Sequence, residues 1–173
     1  EAPGALVVGP VAAQLDPVAV LGVADPEPGP GDVLVRVRRV QPSVTEAMLI
    51  HGEEITLHDV LRDRLAEGPV QFAGHEFAGV VEAVGSGVRG WSVGDRVTAV
   101  ETVDCGECAY CTDRRGVICA RPQFLGFTRL GAFAELLAVP AANLVRLPDS
   151  VTDAQATALQ PLVGAIHGQI IAA

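Results

Sequence analysis

The stretch FAGVVEAVGSGVRGWSVGDRVTAV, residues 77–100, reads as strand, glycine turn and strand: valine-rich runs stand on either side of a glycine cluster. The same grammar repeats outward from it. Upstream, residues 33–40 (VLVRVRRV) set apolar residues against arginines with a period of two, and residues 5–8 (ALVV) form a shorter apolar run. Between them DPEPGPGD (25–32) is too rich in proline and glycine to hold a helix. Downstream, residues 132–140 (AFAELLAVP) and 143–148 (NLVRLP) read as two more strands. A short helix fits Thr45 to Ile50, capped by Ser43 or Thr45. A second fits residues 53–66, where Ile55, Val60, Leu61 and Leu65 fall near helical spacing and Gly68-Pro69 ends the pattern. Ser150 or Thr152 can cap a helix over DAQATAL, and Pro161 suits the first turn of another. The expected architecture is mainly β with α: a partly open β-barrel with helices toward the C-terminus.

At 173 residues, 49% of them hydrophobic, the chain can build one domain with a sizeable core. Aromatics make up only 4%, so that core rests on Ala, Val and Leu. The net charge is -9, and all 12 basic residues are arginine. That balance argues against a nucleic-acid partner, and the lack of lysine excludes a P-loop or Schiff-base lysine. No stretch is long and apolar enough to span a bilayer and nothing resembles a signal peptide, so neither a membrane partner nor export is expected and the location is taken as cytoplasmic. A start at Glu1 fits a processed or trimmed chain, and the sequence stops at Ala173 inside an apolar helical pattern.

All the cysteines fall in CGECAYCTDRRGVIC, residues 105–119. Cys105, Cys108, Cys111 and Cys119 can supply four thiolates to a tetrahedral zinc ion, leaving no open position for substrate, which marks a structural rather than a catalytic site. Gly106 and Gly116 allow the tight turns this requires, and Arg114 and Arg115 are placed to offset the charge of a zinc–tetrathiolate centre. Two-residue gaps are poor disulfide geometry, and the common ferredoxin run has a different spacing, with proline after its last cysteine.

Four segments in order, PEPGPGDVLVRV (26–37), GHEFAGVVEAVGSGV (74–88), GDRV (94–97) and the cysteine lobe, resemble the zinc-containing medium-chain dehydrogenase/reductase family, which includes alcohol, sorbitol and threonine dehydrogenases. The resemblance implies a GroES-like catalytic domain over residues 1–160 with a structural zinc lobe at 101–122. Residues 161–173 would begin the helix that leads to a Rossmann domain absent from this chain. It further implies NAD or NADP held by that second domain, a small-molecule alcohol or carbonyl substrate, and a possible homo-oligomer. Gly85-Ser86-Gly87-Val88-Arg89-Gly90 matches the dinucleotide fingerprint G-x-G-x-x-G in form only, because GDRV, a strand rather than a helix, follows it. No cofactor-binding residue is therefore expected here.

The zinc-dependent relatives use a second, catalytic zinc as a Lewis acid on the substrate oxygen. By resemblance its histidine ligand is His75, with Glu76 beside it. The other two ligand positions fall on Ser43 and Gln160, where a thiolate and a carboxylate are usual. Both replacements are neutral and weak zinc donors. Thr45 matches the hydroxyl that meets the substrate alcohol, Glu46 matches an acidic position of the family, and Met48 stands where a relay histidine is expected. Three readings stay open: a metal-free site, a zinc held weakly through His75, Glu76 and Glu46, or loss of chemistry. The expected function is the substrate-binding half of an NAD(P)-dependent alcohol or polyol dehydrogenase-like oxidoreductase with a degenerate catalytic zinc site, this 173-residue piece alone being inactive. The alternative is a zinc-stabilised GroES-like binding or scaffold module without redox activity.

Overall fold

A computed structural model describes residues 4–8, 18–68 and 70–172, with side-chain surroundings from Gly22 onward. Pro69, half of the expected helix stop, and Ala173 lie outside the described residues. The centre is a five-stranded antiparallel sheet built on β3 (Asp32–Gln41) and β5 (Glu76–Val84). Its order is β10-β6-β5-β3-β9, adding β6 (Arg96–Ala99), β9 (Leu136–Pro140) and β10 (Leu144–Arg146). β1 (Gly4–Val8) pairs with β2 (Val18–Gly22) on one side and β4 (Val70–Gln71) on the other. A third pair, β7 (Thr102–Val103) with β8 (Gln123–Phe124), closes the base of the cysteine lobe. The five-stranded sheet does not close on itself, as expected for a partly open barrel.

Val33, Val35, Phe77, Val81, Val97, Leu137 and Val139 form the main core, each fully buried. Burying a Val or Leu side chain contributes about 1.5–3 kcal/mol, so these mostly aliphatic residues hold the sheet with few aromatics. The run Arg38-Arg39 breaks simple alternation, and the register explains it. Val37 opposes Gly79 but Arg39 opposes Ala78, leaving Arg38 as an extra residue in a β-bulge. The bulge changes the phase of the strand end and brings Gln41, rather than Val40, opposite Glu76.

α1 (Val44–Ile50) is capped by Ser43, and α2 (His58–Glu67) begins later than residue 53. Leu57 adopts φ 72, a left-handed conformation that breaks the helix, and tight turns occupy 51–57 before it. Leu61 and Leu65 of α2 bury against Leu49, Phe72 and Phe127, whereas Val60 is exposed. α4 (Asp153–Thr157), capped by Thr152, packs on β5 through Ala156 against Ala78. α5 (Leu159–Ala172) follows directly. Pro161 has no N–H to offer the Thr157 carbonyl, which separates the two helices. Leu162, Val163, Ile166, Ile170 and Ile171 of α5 are all exposed.

Candidate metal centre and substrate-side site

The cysteine lobe is assembled locally. Cys108 precedes α3 (Ala109–Thr112), whose one turn returns Cys111 beside it, and a 3-10 turn over Gly116–Ile118 delivers Cys119. Gly106 takes φ 71 to reverse the chain between the first two ligands. The Cys105–Cys111, Cys108–Cys111 and Cys108–Cys119 Sγ separations are 3.9, 3.4 and 4.0 Å. Four sulfurs about 2.3 Å from a tetrahedral zinc lie about 3.8 Å apart, whereas a disulfide needs about 2.05 Å. All four cysteines are free, and their ligand atoms all lie within 4.8 Å of one another. The backbone N–H groups of Cys105 and Arg121 both donate to Cys119 Sγ, as acceptors of negative charge require.

Cys108 and Cys111 are driven in opposite directions. N–H groups of Ala120 and Cys111 lower Cys108 to about 6, whereas burial and the neighbouring Cys108 and Cys119 thiols push Cys111 to about 12. A cation among the sulfurs favours their thiolate forms. Arg121 donates through Nη2 to Glu107 Oε1 at 2.7 Å, and Cys105 and Glu107 together raise its pKa. Arg115 instead pairs with Asp113 and lies over the Tyr110 ring. Sequence reasoning named Arg114 and Arg115 and missed Arg121, which follows the last cysteine by two residues.

The second site is built on a capping box. Ser43 Oγ accepts from the Glu46 N–H at 3.2 Å, and Glu46 Oε2 accepts from the Ser43 N–H at 2.7 Å. Glu46 is 1% exposed, and its other oxygen reaches across to the loop before β5. There Oε1 accepts from the Gly74 N–H at 2.6 Å and faces His75 Nδ1 at 3.1 Å. Since both Glu46 oxygens already accept, His75 Nδ1 is assigned as the donor, leaving Nε2 on the far edge of the ring. Glu76 Oε1 lies 3.8 Å from Nε2, and Glu76 Oε2 accepts from Gln41 Nε2 at 2.6 Å. Thr157 Oγ1 reaches Gln41 Oε1 at 3.5 Å, so the bulge in β3 links Glu76 to α4.

Burial opposes the charged form of Glu46, but His75 and the Ser43 and Gly74 N–H groups outweigh it and hold its pKa below the usual range. Burial likewise opposes the imidazolium of His75, and Glu46, then Glu76 and Glu101, outweigh it and raise its pKa. The Phe127 ring lies 5.1 Å from that of His75 and 5.8 Å, edge-on, from Phe72.

The structure brings Ser43, Glu46, His75 and Glu76 together. Thr45 is half-buried in the first turn of α1, and Gln160 is half-buried in the first turn of α5; neither makes a side-chain hydrogen bond among the described residues. Glu46 and Glu76 flank opposite nitrogens of His75 and do not converge on one point. Among the described residues, the cysteine cluster is the one group of three or more such ligands that does converge. Sequence reasoning missed Gln41 and Phe127. The Arg38-Arg39 run, which breaks the alternation, was the signal for the bulge that aims Gln41, and nothing local marked Phe127. Gly85–Gly90 forms the turn that joins β5 to β6, with no helix after it.

Comparison with known proteins agrees with this geometry. Residues 29–149 match the alcohol dehydrogenase GroES-like domain. L-threonine 3-dehydrogenase of Deinococcus radiodurans is 37% identical over 143 residues, 82% of this chain and 39% of that protein. The chain thus spans about two fifths of the curated relatives it matches. An alcohol dehydrogenase from Escherichia coli solved with NADH superposes with a TM-score of 0.75 and 27% identity over 92% of this chain and 42% of its own. Galactitol-1-phosphate dehydrogenase from Escherichia coli gives 0.77 and 26% over 95% of this chain and 43% of its own. With its open sheet, its GHE loop and its four-cysteine lobe, the chain belongs to the alcohol dehydrogenase GroES-like domain family of zinc-containing medium-chain dehydrogenases/reductases.

Proposed function

We propose that this chain is the substrate-side part of an NAD(P)-dependent alcohol or polyol dehydrogenase-like oxidoreductase, with one structural zinc ion and a degenerate second metal position. The zinc would be held by Cys105, Cys108, Cys111 and Cys119, where it pins the lobe and neutralises thiolate charge. The carrying observation for the degenerate position is the engagement of Glu46. Its carboxylate is already met by two backbone N–H groups and His75, and Ser43 serves as its helix cap. Gln160 adds no charge, and Glu76, beside Nε2, already accepts from Gln41, so few free anionic donors remain to hold a zinc tightly at His75.

In the active protein Thr45 and Ser43 would meet the substrate oxygen, and His75, held by Glu46, would face it with Nε2. Oxidation of an alcohol sends the hydride from carbon to the nicotinamide and releases the hydroxyl proton. NAD(P) would be bound by residues beyond those of this chain, so the 173-residue piece alone should turn over no NAD(P)H. Metal analysis tests the reading. The expected content is one zinc per chain, rising to two when Ser43→Cys and Gln160→Glu are combined. Two zinc ions in the unmodified chain would overturn the degenerate site. A full-length protein that binds no nicotinamide nucleotide would favour a zinc-stabilised binding module instead, a reading to which the two neutral replacements lend weight.

A further inference from the structure

α2 lies in the stretch between α1 and the GHE loop, and it is built onto the wall of the His75 site. Leu61 and Leu65, 4% and 7% exposed, pack in one cluster with Phe72, Ala73 and Phe127. On the same helix Arg64 turns inward, and its Nη1 donates to the carbonyl of Phe127. Partial burial lowers the Arg64 pKa, and among the described residues no carboxylate pairs with it. Arg62, two residues before it, points to solvent and pairs with Asp59 and Asp63.

Phe127 is otherwise positioned by a short turn. The Phe124 carbonyl accepts from the N–H groups of Phe127, Thr128 and Arg129, and the Phe124 N–H donates to Thr128 Oγ1 at 2.7 Å. The Gly126 carbonyl accepts from the Ala73 N–H at 2.6 Å, which ties this turn to the loop that carries His75. The Thr128 N–H bond holds the Phe127–Thr128 peptide on its amide side, and Arg64 is the side-chain donor on its carbonyl side. A side-chain hydrogen bond at a peptide carbonyl restrains the rotation of that peptide, and so the direction in which the adjoining ring leaves the chain.

We propose that Arg64 is a positioning residue for the substrate-side site: it fixes the Phe127 peptide, and through it the aromatic wall beside His75, so that α2 shapes what approaches Nε2. The inference rests on the reading of His75 as a substrate-facing group, but the coupling itself can be measured without turnover. The readout is the His75 imidazole proton signals of the zinc-loaded chain at one fixed pH, identified by their loss in His75→Gln. Phe127→Leu, which removes the neighbouring ring, sets the direction of the expected shift. Arg64→Met, which keeps an apolar stem and loses the donor, shifts the His75 signals in that direction. Arg64→Lys, still able to donate, leaves them near their original positions, as does Arg62→Met on the exposed face.

A folded Arg64→Met protein with His75 signals at their original positions overturns the proposal. Should Arg64→Met fail to fold, Arg64→Gln takes its place, its shorter reach predicting the same displacement and an unmoved signal refuting it. If the displacement occurs but the full-length protein proves inactive, the coupling stands and the dehydrogenase reading falls. In an active full-length enzyme, Arg64→Met should raise KM more than it lowers kcat, because the change acts on the wall of the site rather than on reacting atoms.

Discussion

Replacing Glu46 by glutamine tests the central brace of the His75 site. Each carboxylate oxygen now accepts from a backbone N–H, Ser43 on one side and Gly74 on the other. An amide must turn its NH2 group toward one of them, so one accepted bond is lost and two donors face each other in a buried place. A hydrogen bond to a charged group contributes about 1.5–3 kcal/mol, and leaving a buried donor unmet costs about 1–3 kcal/mol. The pairing with His75 weakens as well. We expect a loss of about 3 kcal/mol, or about a hundredfold in the folding constant. With a urea slope of about 2 kcal/mol/M, the unfolding midpoint of the zinc-loaded chain should fall by about 1.5 M at pH 7. The pH dependence has a definite sign. Because folding lowers the Glu46 pKa, its contribution is complete above the unfolded value of about 4.3 and disappears as pH falls through the folded value. The two proteins should therefore converge in stability on the acid side. Glu46→Asp, which keeps the charge but cannot span both N–H groups, should fall between them. A Glu46→Gln midpoint within about 0.3 M of the original at pH 7 would refute the brace.

Cys111→Ser should abolish tight zinc binding and lower the melting temperature, since the tetrahedral set loses one thiolate; native thiol alkylation equally slow in the variant and the original would count against this. Gly74→Ala combines φ 89 with a Cβ that would lie 2.4 Å from the Phe133 nitrogen, and should cost about 3 kcal/mol or more. Gly87→Ala has a similar φ of 78 but open space around it, and should cost only about 1 kcal/mol; equal losses in chemical denaturation would contradict the packing argument. Asp95, whose pKa is lowered by Arg146 and by the Ser92 N–H, stabilises the fold above its unfolded pKa of about 3.9 and loses that contribution as pH falls through the folded value. Asp95→Asn should therefore matter at neutral pH and become indistinguishable from the original in strong acid, as followed by thermal unfolding at a series of pH values.

The sequence by itself was enough for the parts that close over short distances. Cys105 to Cys119 span one loop, so their spacing alone announces a four-thiolate centre, and the structure brings their sulfurs together. The strands on either side of Gly85–Gly90 were legible because β-branched residues and turn glycines act on their immediate neighbours. The order of GHE and cysteine motifs likewise pointed to the family. What tertiary structure decided depends on groups that meet across the chain. Glu46 becomes a brace only because Gly74 and His75, 28 and 29 residues away, close on it. One bulge at Arg38 turns Gln41, rather than Val40, toward Glu76, and no periodicity reveals which strand it will oppose. Arg121 joins the surroundings of the thiols through Cys105 and Glu107, a link that spacing within the cysteine run did not reveal. Local propensity selects the elements, but the partners of a buried charge are fixed by packing, since desolvation leaves it stable only where the assembled fold supplies the matching donors.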